Sequence, residues 1–279
     1  MYGADRLHWS FNYSRQGQEE FGRQLCEALS SYLGSCDAVG VDSFPIASTY
    51  KVLPNFWRGY NHPSASVPAA RDLAMGQIAI ERRPGQAGTW QYAVSSRNSA
   101  NGENLRIDFR CRDDGVRTIL DRWRIHTENT AGYLYSRYDC SGRLYSGAGN
   151  RQEIRLAVGD LEFTAGRCEG DLPLTCNWAL FDVIPLFNER TKDKGGQLEI
   201  ALLEDMEILR VPCRIGFLES IEMEIGRAHG SLHLSGYWVC GRGVVPSYWW
   251  VDSRGKVVIV SSTFQTLVLQ GVRSGGGGN

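Results

Sequence analysis

Four runs of residues from position 231 onward constrain the fold most. Residues 231–240 (SLHLSGYWVC), 244–251 (VVPSYWWV), 256–261 (KVVIVS) and 263–270 (TFQTLVLQ) are rich in β-branched and aromatic side chains. Between them stand Gly241-Arg242-Gly243, Asp252-Ser253-Arg254-Gly255 and Ser262, the short Gly, Asp and Ser connections of hairpins. Links this short join antiparallel neighbours, because a parallel pair needs a crossover of a dozen or more residues. The region is therefore read as antiparallel β structure, which excludes most nucleotide-binding architectures.

The same pattern extends upstream. Leu105, Ile107, Phe109 and Cys111 alternate with Arg106, Asp108, Arg110 and Arg112, a period of two that puts the two sets on opposite faces of a strand. Trp123 and Ile125 alternate in the same way with Arg122, Arg124 and His126. Further strands are predicted at 76–83, 89–96, 133–139, 153–158, 161–165 and 197–203, roughly twelve in all. Helical spacing occurs twice. Phe21, Leu25, Ala28, Leu29 and Tyr32 predict a helix over 18–33, and Trp178, Phe181 and Ile184 predict a short one within 174–187, broken near Pro185. Residues 37–71 carry four prolines with Phe56, Trp57 and Tyr60 among them, which reads as an irregular segment wrapped on the β domain.

The expectation is an all-β chain: an antiparallel β-sandwich or large β-barrel with an N-terminal helical preface and one short covering helix. Its parts are 1–72, helical and irregular; 73–273, the β domain; and 274–279 (SGGGGN), a disordered tail. The order of the helical segment LTCNWALFDVI and the strand–turn–strand SYWWVDSRGKVVIV resembles uncharacterised exported bacterial proteins of domain-of-unknown-function type with a lipocalin-like β-barrel. The resemblance covers the last third of the chain and contains no catalytic motif. It implies a fold and an envelope location, and carries no functional residue with it.

Bulk properties narrow the partners. A net charge of −1 gives no reason to expect nucleic acid or an anionic membrane surface. No apolar run is long enough to span a membrane. Only Lys51, Lys192, Lys194 and Lys256 are lysines among 30 basic residues; the rest are arginines, which suit two-point binding of carboxylates, although a GC-rich genome produces the same bias. The first residues lack the charged and apolar regions of a signal peptide, so the expected extracytoplasmic location, periplasmic or secreted, has a cytoplasmic alternative. The eight cysteines lean towards disulfides, with Cys26–Cys36 and Cys168–Cys176 as the nearest pairs in sequence; Cys111 and Cys240 read as buried strand residues. No Cys-x-x-Cys, His-Glu-x-x-His, phosphate-binding loop or dinucleotide fingerprint is present, so neither metal nor cofactor is expected.

Three constellations are candidates for chemistry. The first is the polar face Arg106, Asp108, Arg110, Arg112, Arg122, Arg124 and His126, which becomes a groove for acidic or hydroxyl-rich ligands if the face is concave; otherwise it is a solvated exterior with cross-strand ion pairs. The second is the aromatic group Tyr237, Trp238, Tyr248, Trp249 and Trp250. Trp249 and Trp250 must face opposite sides of a strand, so one is expected in the core and the other either exposed for sugar stacking or buried beneath a covering segment. The third, His229 and His233 with Glu222 and Glu224, is too dispersed along a strand for one metal ion. The function these support is binding of a carbohydrate or amphipathic small molecule in a groove or barrel mouth, through Arg122, Arg124, His126, Tyr248, Trp249 and Trp250. The alternatives are a carbohydrate-active lyase or hydrolase using His or Tyr with Arg, and an envelope assembly protein that docks a partner strand on its sheet edge. Oligomeric state is not legible.

Overall fold

The computed structural model describes residues 15–36, 44–55, 75–98, 102–129, 136–147, 151–168, 170–191, 196–226, 229–263 and 265–274. Helix α1 (Arg15–Cys36) is followed by β1 (Ile46–Pro54), β2 (Gly76–Pro84), β3 (Thr89–Asn98) and β4 (Glu103–Arg112). Next come β5 (Arg122–Asn129), β6 (Ser136–Ser146), β7 (Gln152–Val158), β8 (Leu161–Cys168) and the three-residue β9 (Leu174–Cys176). Helix α2 (Leu180–Thr191) leads into β10 (Gln197–Glu204), β11 (Ile208–Gly226), β12 (Gly230–Gly241), β13 (Val244–Asp252), β14 (Val257–Ser261) and β15 (Gln265–Ser274). None of the described helices is long and apolar enough to cross a membrane.

All fifteen strands belong to one sheet, in the order β8-β7-β6-β5-β4-β3-β2-β1-β15-β14-β13-β12-β11-β10-β9. Two meanders are thus joined where β1 pairs with β15. Every neighbouring pair is antiparallel except β9 with β10. The sheet is open but curled. The main chain at Gly166 in β8 lies against the Leu209 side chain of β11, although the two strands are not ladder neighbours.

The inner face of the curl is filled by α2. Phe181 meets Tyr50 of β1 and Trp249 of β13, with ring centroids 4.8 and 5.0 Å apart, and Phe187 meets Tyr237 of β12. Asp182, in the first turn, pairs with Arg82 of β2 and accepts a 2.6 Å bond from the Tyr92 hydroxyl of β3. Burial lowers the Arg82 pKa, so this guanidinium depends on its carboxylate. Helix α1 takes the other face. Thr49 alternates with the inward Tyr50, and the side of Gly271 paired with Thr49 looks towards Ser35 of α1. Phe21, Leu25, Leu29 and Tyr32 are buried there, and the Tyr32 hydroxyl donates 2.7 Å to buried Asp252.

Several expectations change. Residues 46–54 form β1 in the middle of the sheet, so the boundary expected at 72/73 falls between adjacent strands. Ala47, Thr49 and Lys51 alternate with Ser48, Tyr50 and Val52, but the prolines on either side hide the pattern. Residues 174–176 are strand, and Pro185 lies inside α2 instead of breaking it. Cys26, Cys111, Cys140, Cys168, Cys176, Cys213 and Cys240 are free thiols, with no disulfide among them. Cys26 and Cys36 stand ten residues apart on one helix, about 15 Å along its axis at the usual rise, far beyond disulfide reach. Cys168 and Cys176 are both buried free thiols. The wrap residues Phe56, Trp57 and Tyr60 and the 275–279 tail lie outside the described residues.

Candidate functional site

Strand alternation fixes what the outer face of the first meander presents. With Ile107, Phe109 and Trp123 turned inward, Arg106, Asp108, Arg110, Arg122 and Arg124 all turn outward. Unlike the second meander, this face has no helix over it among the described residues. Its side chains rim an open depression of about 890 Å³ running across β2 to β8.

Register arranges its side chains in rows across the strands. In one row Arg83 opposes Gln91 and Gln91 opposes Arg110. Arg110 and Arg122 then share Asp121, at 3.0 and 3.9 Å. Arg122 opposes Arg143 and Arg143 opposes Arg155. The adjacent row mixes charged and small side chains. Glu81 opposes Ala93, which opposes Asp108. Asp108 opposes Arg124, and Arg124 opposes Ser141. Ala157 and Glu162 complete the row. Small side chains at 93, 141 and 157 make the space.

The arginines differ in how far the protein already satisfies them. Arg106 forks onto Asp108 at 3.0 and 3.3 Å. Arg155 bonds Glu153 and Glu162 at 2.6 and 3.1 Å, and with Arg167 it holds the Glu153 carboxyl below its ordinary pKa. Among the described residues Arg122 has only the long contact to Asp121. Arg143 bonds the Tyr145 hydroxyl at 3.2 Å, and both Arg143 and Arg155 lie over the Tyr145 ring, 5.8 and 4.6 Å from its centre. Arg124 is exposed and makes no hydrogen bond or ion pair among the described residues. Two guanidiniums directly opposite each other repel, so an anion between Arg122 and Arg143 is favoured twice, by its own contacts and by relief of that repulsion.

Of the residues expected in a binding site, Arg122 and Arg124 line the depression. His126 shares their face but is bonded to Asp139 at 2.6 Å, which keeps the Asp139 carboxyl below its usual range. The aromatic group is elsewhere. β13 is separated from β5 by β4, β3, β2, β1, β15 and β14. Trp249 is 4% exposed, against Phe181 on the inner face, and Trp250 is 0% exposed on the opposite face, over Gly236. Neither offers a stacking plate. Tyr248 is half-buried opposite Trp238. His233 forms an exposed 2.8 Å pair with Glu222, and no three metal-ligating side chains cluster among the described residues. Sequence reasoning missed Arg143, Tyr145 and Arg155. Their alternation is interrupted by Gly142 and by a turn, and only the pairing of β6 and β7 onto β5 reveals them.

No protein-family model matches the chain, and no curated protein matches it. Among solved structures it is similar to a β-barrel-like protein of domain of unknown function DUF1849 from Brucella abortus, at 9% identity and a TM-score of 0.49, covering 84% of this chain and 99% of that one. It is also similar to a DUF1089-family protein from Pseudomonas aeruginosa, at 17% identity and a TM-score of 0.32, covering 65% of this chain and 87% of that one.

Proposed function

We propose that the protein is a binding protein for acidic, hydroxyl-bearing ligands of the saccharide class, held in the depression across β2 to β8. The observation that carries this reading is the register of Arg122, Arg143 and Arg155 on three successive strands, beside Arg124, which has no partner among the described residues. Guanidiniums in this setting bind carboxylates in a two-point fork. Asp108, Glu162 and Ser141 beside them accept hydroxyl hydrogens, which a ligand with both groups can use. The chain's net charge of −1 makes the patch a local feature and not a consequence of a basic protein.

Calorimetric titration with acidic and neutral oligosaccharides tests it. Acidic ones should bind, neutral ones should not, and Arg124→Ala with Arg143→Ala should weaken binding about tenfold or more, the scale of roughly 1–3 kcal/mol for a lost charged contact. Equal affinity in the double variant overturns the assignment of the site. The catalytic alternative has one observation in its favour, the Tyr145 hydroxyl beside Arg143. Turnover that disappears in Tyr145→Phe while binding persists would make the site an enzyme's.

A further inference from the structure

Resting on that reading, we infer that the ligand is a linear acidic polysaccharide carrying one carboxylate per sugar, laid across β4 to β7 at right angles to the strands. Arg110, Arg122, Arg143 and Arg155 stand on four consecutive strands. Neighbouring strands lie about 4.8 Å apart, so the positive positions recur at a distance close to the length of one pyranose unit in an extended chain. A single small anion uses one or two of these positions. Successive units of an extended polyuronate turn over about the chain axis, so alternate carboxylates reach this row, at Arg110 and Arg143, while the unit over β5 turns its carboxylate the other way.

The second row explains why the polymer is a sugar and not simply an anion. It lies two residues along each strand from the first, about 6.7 Å away, and holds Asp108, Arg124, Ser141 and Ala157 on the four strands, with Glu162 of β8 beyond them. Carboxylates and a hydroxyl there accept or exchange hydrogen bonds with sugar hydroxyls. They repel a chain that is negative on every side, such as polyphosphate. A chain whose units present carboxylate and hydroxyl edges in alternation matches both rows, with Arg124 taking the carboxylate turned to the second row over β5. Tyr145 is a positioning residue. Its ring, with Arg143 and Arg155 over it, fixes both guanidiniums before a ligand arrives, which lowers the entropic cost of binding.

The test is a length series. The full chain is titrated with galacturonate oligomers of one to six units, with polyphosphate of similar charge in parallel, at two salt concentrations. Affinity should rise at least tenfold from monomer to tetramer and level off beyond it, because β4 to β7 supply four positions. Arg143→Ala, in the middle of the row, should lower tetramer affinity about tenfold, while Arg112→Ala, outside the depression, should not change it. Circular dichroism confirms that both exposed-site variants fold. A monomer that binds as tightly as the tetramer, or polyphosphate that matches the uronate, overturns the polymer assignment and leaves the acidic-ligand site standing. Absence of any binding sensitive to Arg143 overturns both.

Discussion

Trp123 and Gly142 form the floor beneath the arginine row. Trp123 points inward from β5, its indole lies over Gly142 of β6, and its N–H donates 2.9 Å to the Met206 carbonyl in the β10–β11 turn. A Cβ at 142 would occupy the space of the indole. Gly142→Ala should therefore destabilise the protein by about 1–3 kcal/mol, as overpacking does, and weaken anion binding by displacing the floor. Denaturant titration followed by tryptophan emission reads the first effect; unchanged stability would mean the indole has another place to go. Trp250 provides the contrast. Its removal leaves a core cavity, so Trp250→Ala should cost about 3–5 kcal/mol with ligand affinity intact in the folded fraction. Arg124→Ala should show the reverse, with stability changed by less than about 0.5 kcal/mol and binding lost.

At the scale of elements, the two helices divide the sheet into differently written halves. β13, β14 and β15 lie between α1 outside and α2 inside, and β14 is buried at all five residues. Strands covered on both faces have no need of alternation and read as continuous apolar runs, which is why VVIVS and TLVLQ show none. Among the described residues β4 and β5 are covered on the inner face only, and they alternate cleanly. Helix α1 is tied down by its last turns, where Tyr32 donates to Asp252, a carboxylate that also accepts the backbone N–H groups of Arg254 and Lys256. Tyr32→Phe removes one bond and leaves the others, so it should cost about 1–2 kcal/mol. Hydrogen exchange should rise in α1 more than in β4 or β5. A uniform rise across the sheet would show that α1 and the first meander open as one unit.

For the whole molecule, the pairing of β1 with β15 is the decisive contact. It joins segments about 220 residues apart in sequence, a closure whose entropic cost must be met before the two meanders share a sheet. A fragment of residues 73–274 lacks β1 and exposes the edges of β2 and β15, both apolar on the inner face. That fragment should fail to give a soluble, cooperatively unfolding protein. A sharp thermal transition from it would show that β2 and β15 can pair directly, and that the β domain expected from residue 73 is self-sufficient.

The period of two at 105–112 and 122–126, the tight turns, and the helical spacing of Phe21, Leu25, Leu29 and Tyr32 were enough to determine a β-rich antiparallel chain with two helices, since backbone geometry reads those periods directly. They also determined that Arg106, Asp108, Arg110, Arg122 and Arg124 share one face. Three things were decided only by tertiary structure. β1 was hidden because its neighbours in the sheet are distant in sequence. The burial of Trp249 and Trp250 depended on which faces α2 and the sheet's outer cover would occupy, and an aromatic pair in a strand looks the same in either setting. The depression needed the arrival of Arg143 and Arg155 beside Arg122. Local sequence dictates which way a side chain points along its own strand; which strand lies next to it, and so which side chains share that face, is set by the packing of the whole sheet.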